Sequence, residues 1–106
     1  MIKRIWRGWT TPENAERYET LLREEIFKEI GSREIEGYRG IELLRREYDG
    51  EVEFMTIMTF VSLDAVKEFA GEAFEEAYVP PAARAVLSRF EARSRHYGVL
   101  AAGPTE

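Results

Sequence analysis

The sequence predicts an α+β fold of the ferredoxin-like kind, in which a four-stranded antiparallel sheet carries two helices on one face. The apolar pattern follows the order strand, helix, strand, strand, helix, strand along the chain. Asp49-Gly50, between the two middle strands, suits a tight hairpin turn. The 106 residues are enough for one domain with one core. We therefore expect a single domain over residues 1–100 and a disordered tail over residues 101–106.

The first strand and the first helix have the clearest limits. The stretch from Ile2 to Trp9 carries apolar side chains in both phases of the strand alternation, so we expect both faces of this strand to be covered. Thr11 is a typical N-cap, and Pro12 suits the first helical position. Apolar residues then recur at helical spacing until Gly31, which is expected to end the helix.

The middle of the chain predicts a β-hairpin. Its first strand is expected from Tyr38 to Tyr48, and its second strand from Glu51 to Val61. Strict alternation in the first of these places Tyr38 on the face opposite to Ile41 and Leu43. The second has apolar side chains on both faces, as the strand at the start of the chain does.

The last third of the chain predicts two helices and a strand. Ser62 is an N-cap candidate for a helix that ends before Gly71. Pro80-Pro81 prevents that helix from continuing, so we expect a separate short helix from Pro81 to Arg89. The final strand is expected from Phe90 to Leu100.

The face of the sheet that the helices leave open predicts a dimer. That face stays in water unless a partner covers it. Because the first and third strands both carry bulky apolar groups there, we expect a homodimer packed sheet to sheet, a dimeric α+β barrel. The alternative is a monomer whose second face mixes apolar and polar side chains.

Composition and charge argue against several classes of function. Acidic and basic residues are interleaved at a net charge of -5, and no basic stripe for nucleic acid occurs. The chain has no cysteine, no signal-peptide pattern and no run of about 20 apolar residues, so we expect no membrane contact and a cytoplasmic location. Glu51 and Glu53, beside the hairpin turn, are expected at the solvated surface.

The single histidine narrows the catalytic options. His96 is not accompanied by a G-x-S-x-G elbow, so a serine triad is disfavoured. A metal site would depend on carboxylates alone or with one imidazole, and neither glycine-rich phosphate motif occurs. We therefore expect no metal and no other cofactor.

Six residues are candidates for a small-molecule site. The polar candidates are His96, an imidazole that titrates near neutrality, and Tyr78, a phenol that can face a ligand; the alternative is that each one only packs in the fold. Trp9 lies on the strand face opposite to Trp6, so one indole is expected at the dimer interface or in the core. The candidates for the walls of an apolar substrate pocket are Trp6, Gly8, Met58 and Phe60.

Four stretches of the chain resemble the antibiotic biosynthesis monooxygenase superfamily: Trp6–Thr10, Glu53–Phe60, Ser62–Gly71 and Arg95–Tyr97. The resemblance implies a dimeric α+β barrel. Some members of that superfamily oxidise aromatic phenols or anthrones with molecular oxygen and without metal or flavin. In that chemistry the carbanion of the substrate reduces oxygen, and the protein contributes desolvation, orientation and a proton acceptor.

Other members of the superfamily degrade haem, with an asparagine on the first strand, a tryptophan ending the third and a histidine on the next helix. The corresponding positions here hold Phe60 and Tyr78, and the first strand has no asparagine, so the resemblance does not extend to haem degradation. The leading hypothesis is a cofactor-independent monooxygenase for a small aromatic or quinol substrate. The alternatives are a non-catalytic dimeric binding or stress-response module, and an isomerase or decarboxylase on the same scaffold.

Overall fold

One antiparallel sheet of five strands organises the fold, which the computed structural model describes over residues 1–104. The strands are β1 (Ile2–Thr10), β2 (Tyr38–Tyr48), β3 (Glu51–Phe60), β4 (Arg89–Phe90) and β5 (Arg95–Gly98). The sheet has the spatial order β2, β3, β1, β4, and β5 lies beyond β4 along the same edge of β1. This arrangement confirms the predicted α+β, ferredoxin-like fold.

The helices come in two groups along the chain. The first group is one unbroken helix, called the long helix below, which consists of α1 (Pro12–Leu21), a π-helical segment (Leu22–Ile26) and α2 (Phe27–Ser32). The second group is α3 (Leu63–Ala70) and α4 (Pro81–Val86). The short helix therefore ends three residues before its predicted limit, because the chain becomes extended after it and returns to the sheet.

The predicted caps and turn are confirmed. The hydroxyl oxygens of Thr11 and Ser62 each accept a hydrogen bond from the backbone N–H three residues further on. Such caps satisfy an N–H that has no partner inside the helix. At the hairpin turn, Asp49 and Gly50 have φ values of 55° and 80°. Two successive positive φ angles are typical of the type I′ turn that joins twisted strands.

A β-bulge changes the face on which Tyr38 lies. Tyr38 pairs with Phe60 and Gly40 with Thr59, so one residue of β2 has no partner between them. Gly40 has a φ of 129°, which favours glycine. The extra residue turns Tyr38 to the helix-covered face, where its ring lies 5.6 Å from that of Phe60. The predicted placement of Tyr38 opposite to Ile41 was wrong, because strict alternation does not allow for a bulge.

The last strand is divided in two, so the prediction of one strand from Phe90 to Leu100 was wrong. Between β4 and β5 the chain leaves β1 and pairs instead with the loop before α4. Glu76 and Arg93 form an antiparallel bridge there, and the Ser94 N–H donates to the Glu75 carbonyl oxygen. This detour places the loop beside Arg4 of β1, which donates hydrogen bonds to the Phe74 and Glu76 carbonyl oxygens.

The core consists of two clusters between the sheet and the helices. In the first cluster, the rings of Tyr18 and Phe54 meet edge to face at 4.9 Å. The second cluster surrounds Phe60, whose ring lies 5.8 Å from that of Phe69. The other buried members are Trp6, Ala15, Leu22, Val52, Val79 and Ala83 in the first cluster, and Ile30, Met58, Ala65 and Val66 in the second.

The end of the chain has no regular structure as far as it is described. Residues 101–104 are exposed and belong to no helix or strand, and the rest of the predicted tail, residues 105–106, lies outside the described residues. In the part of the chain from 1 to 104, no helix has the length and apolar character that crossing a membrane would need.

Candidate ligand-binding site

A cavity lies between the long helix and the sheet, where the two core clusters meet. Its volume is about 50 Å³, which is room for a few water molecules. An engineered protein cavity that binds benzene has about 150 Å³, so an aromatic ligand requires the walls to move outward. The walls are mostly apolar and include Trp6, Leu22, Ile30, Met58, Phe69 and Val79, and the polar residues among them are Arg4, Tyr18, Thr56, Tyr78 and Ser94.

Arg4 is the charged residue of this wall. It is 3% exposed. Its Nη1 donates to the Phe74 carbonyl oxygen and to His96 Nε2 at 2.8 Å, and its Nη2 donates to the Glu76 carbonyl oxygen at 3.1 Å. Burial lowers the pKa of Arg4 to about 10, so the side chain remains a cation at neutral pH.

Within residues 1–104, no carboxylate balances the charge of Arg4, since no ion pair found there includes it. Three of the five N–H donors of its guanidinium are used, and the other two meet no acceptor in that part of the chain. A buried cation without a counter-charge is unfavourable. An anion in the cavity would supply both the charge and the acceptors.

His96 is connected to the cavity by its hydrogen bond with Arg4. The two residues are partners in the β1–β5 ladder, and the imidazole packs edge to face on Phe74 at 5.2 Å. Because an arginine only donates, Nε2 of His96 must be the acceptor and the ring proton lies on Nδ1. Burial, and then the charge of Arg4, lower the pKa of His96, while Glu75 opposes them. A neutral His96 therefore orients the guanidinium.

Tyr78 lies at the mouth of the cavity and is 42% exposed. Its hydroxyl donates to Glu29 Oε1 at 2.7 Å, and Glu29 also accepts two hydrogen bonds from Arg33. The Arg33 guanidinium lies 5.0 Å from the centre of the Tyr78 ring. Burial, and then the Glu29 hydrogen bond, raise the pKa of Tyr78. The two polar residues predicted from the sequence thus have different places, with Tyr78 at the mouth and His96 behind Arg4.

Trp6 forms part of the wall, and Gly8 makes room for it. The indole Nε1 donates to the Glu91 carbonyl oxygen at 2.7 Å. A Cβ atom on Gly8 would lie 2.7 Å from Trp6 Cη2 and 3.3 Å from Leu87 Cδ2. Gly8 itself does not line the cavity, because the Trp6 ring occupies the space beside it.

The two candidates on β3 also differ in position. Met58 lines the cavity beside Thr56. Phe60 does not line the cavity. It is fully buried in the second cluster, where its ring packs between those of Tyr38 and Phe69. No group of three or more His, Asp or Glu residues within residues 1–104 is arranged to hold a metal ion.

Three features of the site were missed by the sequence reasoning. Arg4 stands at an inward-facing position of β1, between Ile2 and Trp6, and a charge at such a position was the available signal. Tyr18 has the helical spacing of a core residue, so the sequence indicates a role for its ring and none for its hydroxyl. The π-helical segment at Leu22–Ile26 lies along the cavity, where such segments often mark functional sites, but nothing in its sequence indicates it.

The face of the sheet that points away from the helices, called the outer face below, carries ion pairs as well as apolar groups. Glu53 is 7% exposed there, and its carboxylate accepts from Arg46 at 2.9 Å and lies 3.9 Å from Arg7. The expectation of a solvated Glu53 was wrong, because the two arginines fold over it. Trp9 lies under Arg89, whose guanidinium is 4.0 Å from the indole centre. Half-buried apolar side chains further along the same face are Ile5, Met55 and Ile57.

Comparisons with known proteins identify the fold. No protein-family model and no curated protein matches the sequence. Solved structures do match: Rv0793 from Mycobacterium tuberculosis has 19% identity and a TM-score of 0.60 over 97% of this chain and 98% of that one. A putative antibiotic biosynthesis monooxygenase from Bacillus cereus has 14% identity and a TM-score of 0.60 over 98% and 96%. A NIPSNAP family protein from Agrobacterium tumefaciens has 20% identity and a TM-score of 0.56 over 91% and 90%.

The chain therefore has the antibiotic biosynthesis monooxygenase-like fold, as the sequence resemblance implied. The match extends over nearly all of this chain and of each similar structure, so it concerns the whole domain. At these identities the match defines the fold, and the chemistry has to be argued from the cavity.

Proposed function

We propose that this protein is a cofactor-independent monooxygenase that binds a small aromatic substrate in the cavity as its phenolate anion. The observation that carries the proposal is Arg4, a buried cation at the wall of an apolar cavity, with two N–H donors that have no acceptor among residues 1–104. Such a group stabilises an anion far more strongly than a solvated arginine does. The similarity to a structure titled putative antibiotic biosynthesis monooxygenase supports this reaction class.

The proposed reaction converts a phenol and dioxygen into a quinone and water. The ring carbon para to the phenolate oxygen supplies an electron pair and forms a bond to dioxygen, and a hydroperoxide results after protonation. Loss of water from the hydroperoxide leaves one oxygen atom in the new carbonyl group, while the other leaves in the water. Arg4 stabilises the phenolate at the opposite end, and the apolar walls, Trp6 and Met58 among them, hold the ring and exclude water.

The lining favours substrates that are already acidic. Burial raises the pKa of Tyr18, so its hydroxyl stays protonated near neutral pH and does not accept the proton of the substrate. The Tyr78 hydroxyl donates a hydrogen bond to Glu29, and His96 Nε2 accepts one from Arg4. In this proposal His96 positions Arg4, and the exposed Tyr78 side chain moves aside at the cavity mouth when a ligand enters. The substrate therefore loses its proton to solvent before binding.

Oxygen uptake tests the proposal. The substrates are acidic phenols with an unsubstituted para position, and each is compared with a reaction without protein. We expect uptake above autoxidation that falls about tenfold or more in Arg4→Met, since a hydrogen bond to a charged group contributes about 1.5–3 kcal/mol. Arg4→Lys keeps the charge at this position, and Arg39→Met is the matched control, because Arg39 is exposed and donates to backbone oxygens only. Equal uptake by the wild type and both Arg4 variants would contradict the proposal.

One observation favours a second candidate, a non-catalytic binding module. The hydroxyl of Tyr78 and Nε2 of His96 both have protein partners, which leaves the cavity without a free base among them. A ligand that raises the melting temperature without oxygen uptake would support this candidate. Product formation in the absence of oxygen would instead indicate an isomerase or decarboxylase.

A homodimer formed through the outer face is part of the same proposal. Support comes from the apolar side chains of that face, including Leu44 and Tyr97, which are exposed. Light scattering after gel filtration is expected to give twice the mass of 12.3 kDa. Ile57→Glu should give the monomer mass, whereas Thr20→Glu, on the exposed side of the long helix, should not. A cytoplasmic location belongs to the proposal as well, because a chain without cysteine suits a reducing compartment.

A further inference from the structure

We propose that the Tyr18 hydroxyl is a second polar contact in the cavity, which selects single-ring ligands with an oxygen group at the end opposite to their anionic group. The proposal rests on the same cavity as the proposed function, and it adds the ligand class that the cavity distinguishes. It concerns binding, so it can be tested without the oxygen reaction.

The burial and the free hydroxyl of Tyr18 are the first support. Tyr18 is 1% exposed and lines the cavity. Its hydroxyl makes no hydrogen bond to residues 1–104. Within those residues, every side-chain N or O atom that is sealed from solvent has a hydrogen-bond partner. The Tyr18 hydroxyl is therefore not sealed, and the space that it can reach is the cavity. A buried hydroxyl without a partner is unfavourable, so a ligand oxygen would be a favourable neighbour.

The positions of Tyr18 and Arg4 are the second support. Tyr18 packs on Phe54, which pairs with Gly8 of β1. Gly8 is four residues from Arg4, which corresponds to about 13 Å along a strand. The indole of Trp6 lies between the two positions on the same face. Arg4 and the Tyr18 ring thus lie toward opposite ends of the cavity, with the Trp6 ring between them.

This arrangement distinguishes ligands by their far end. A benzoate binds Arg4 by its carboxylate, and its ring lies along Trp6; a phenolate substrate of the proposed reaction gains its para oxygen only from dioxygen. An oxygen group in the para position then reaches Tyr18, whereas a methyl group of the same size leaves the hydroxyl unpaired. A site built to pair a ligand hydroxyl discriminates against the analogue that lacks it.

The test compares the dissociation constants of 4-hydroxybenzoate and 4-methylbenzoate by isothermal titration calorimetry under nitrogen. Both carry the same carboxylate for Arg4, and neither is a substrate of the proposed reaction. We expect the wild type to bind the hydroxy compound about two- to tenfold more tightly. Tyr18→Phe should reduce this ratio to about one. Tyr38→Phe is the matched control and should keep the ratio, because Tyr38 is half-buried in the second cluster and not in the cavity wall.

Two further measurements keep the test decisive. The wild type should bind 3-hydroxybenzoate no better than 4-methylbenzoate, because its oxygen points to the side of the cavity, and this comparison needs no variant. Arg4→Met should weaken the binding of both para compounds and leave the ratio of their dissociation constants unchanged. A ratio that survives in Tyr18→Phe, or no binding of either para compound, would overturn the inference. A ratio that is lost in Tyr18→Phe while oxygen uptake is absent would support it and contradict the oxygenase.

Discussion

Replacement of Gly8 by alanine tests how closely β1 holds the wall of the cavity. The new Cβ atom would lie 2.7 Å from Trp6 Cη2, 3.2 Å from Trp6 Cζ3 and 3.3 Å from Leu87 Cδ2. The indole cannot swing away freely, because its Nε1 is bound to the Glu91 carbonyl oxygen at 2.7 Å. The ring must therefore lengthen that hydrogen bond or move into the cavity.

The expected cost follows from these contacts. Overpacking of this size destabilises a protein by about 1–3 kcal/mol, and the lower entropy of the unfolded chain returns about 0.4–1 kcal/mol. We expect a net loss of about 1–2 kcal/mol, which lowers the melting temperature by about 4–15 °C in a domain of this size. Ligand affinity should fall as well, because the displaced indole takes up part of the 50 Å³ cavity.

Urea denaturation measures the effect. The midpoint of Gly8→Ala should fall at an unchanged slope, since the surface exposed on unfolding stays the same. Gly98→Ala is the matched control, because a Cβ atom at that strand position meets nothing within 4 Å. The reasoning would be refuted by a Gly8→Ala variant as stable as the wild type, and it would then follow that the Trp6 ring is not held in place.

Three further predictions concern the core, a cap and pH. Phe54→Ala should cost about 3–5 kcal/mol in urea denaturation, because Phe54 is fully buried against Tyr18, and a loss below about 1 kcal/mol would contradict that packing. Ser62→Ala should cost about 1 kcal/mol through loss of the cap to the Ala65 N–H, and an unchanged midpoint would show that the cap contributes nothing. Burial and Arg4 lower the pKa of His96, so the unfolded chain takes up the proton first and stability should fall as the pH drops below the ordinary value of 6.5. His96→Gln, which retains an acceptor for Arg4, should lose this part of the pH dependence, and an equal slope in both proteins between pH 5 and about 6.5 would contradict the assignment.

The fold could be predicted because its signals are local. Thr11, Ser62 and Asp49-Gly50 each specify a cap or a turn within a few residues, and these points fix the order of the elements. The errors arose where pairing with distant residues decides the outcome. The bulge at Gly40 and the divided last strand both depend on partners far away in the sequence, on β3 and in the loop before α4.

The site was predicted only in part, for a physical reason. Trp6 and Met58 were identified as wall residues because large apolar groups on one strand face must meet a helix or a ligand. Arg4 was missed because sequence alone shows a charge near the start of the chain and not the carbonyl oxygens that hold it inside. Tyr18 was missed because a phenol at helical spacing looks the same whether or not its hydroxyl has a partner.

The most direct test of the cavity as an anion site is the ¹⁵N NMR spectrum of the arginine Nε–H groups during titration with 4-hydroxybenzoate. The Arg4 signal is assigned by its absence in Arg4→Lys, and the signal of the exposed Arg39 serves as the reference. We predict that the Arg4 signal shifts and saturates together with the binding isotherm while the Arg39 signal stays in place. Saturable binding with an unmoved Arg4 signal, or no binding at all, would contradict the account.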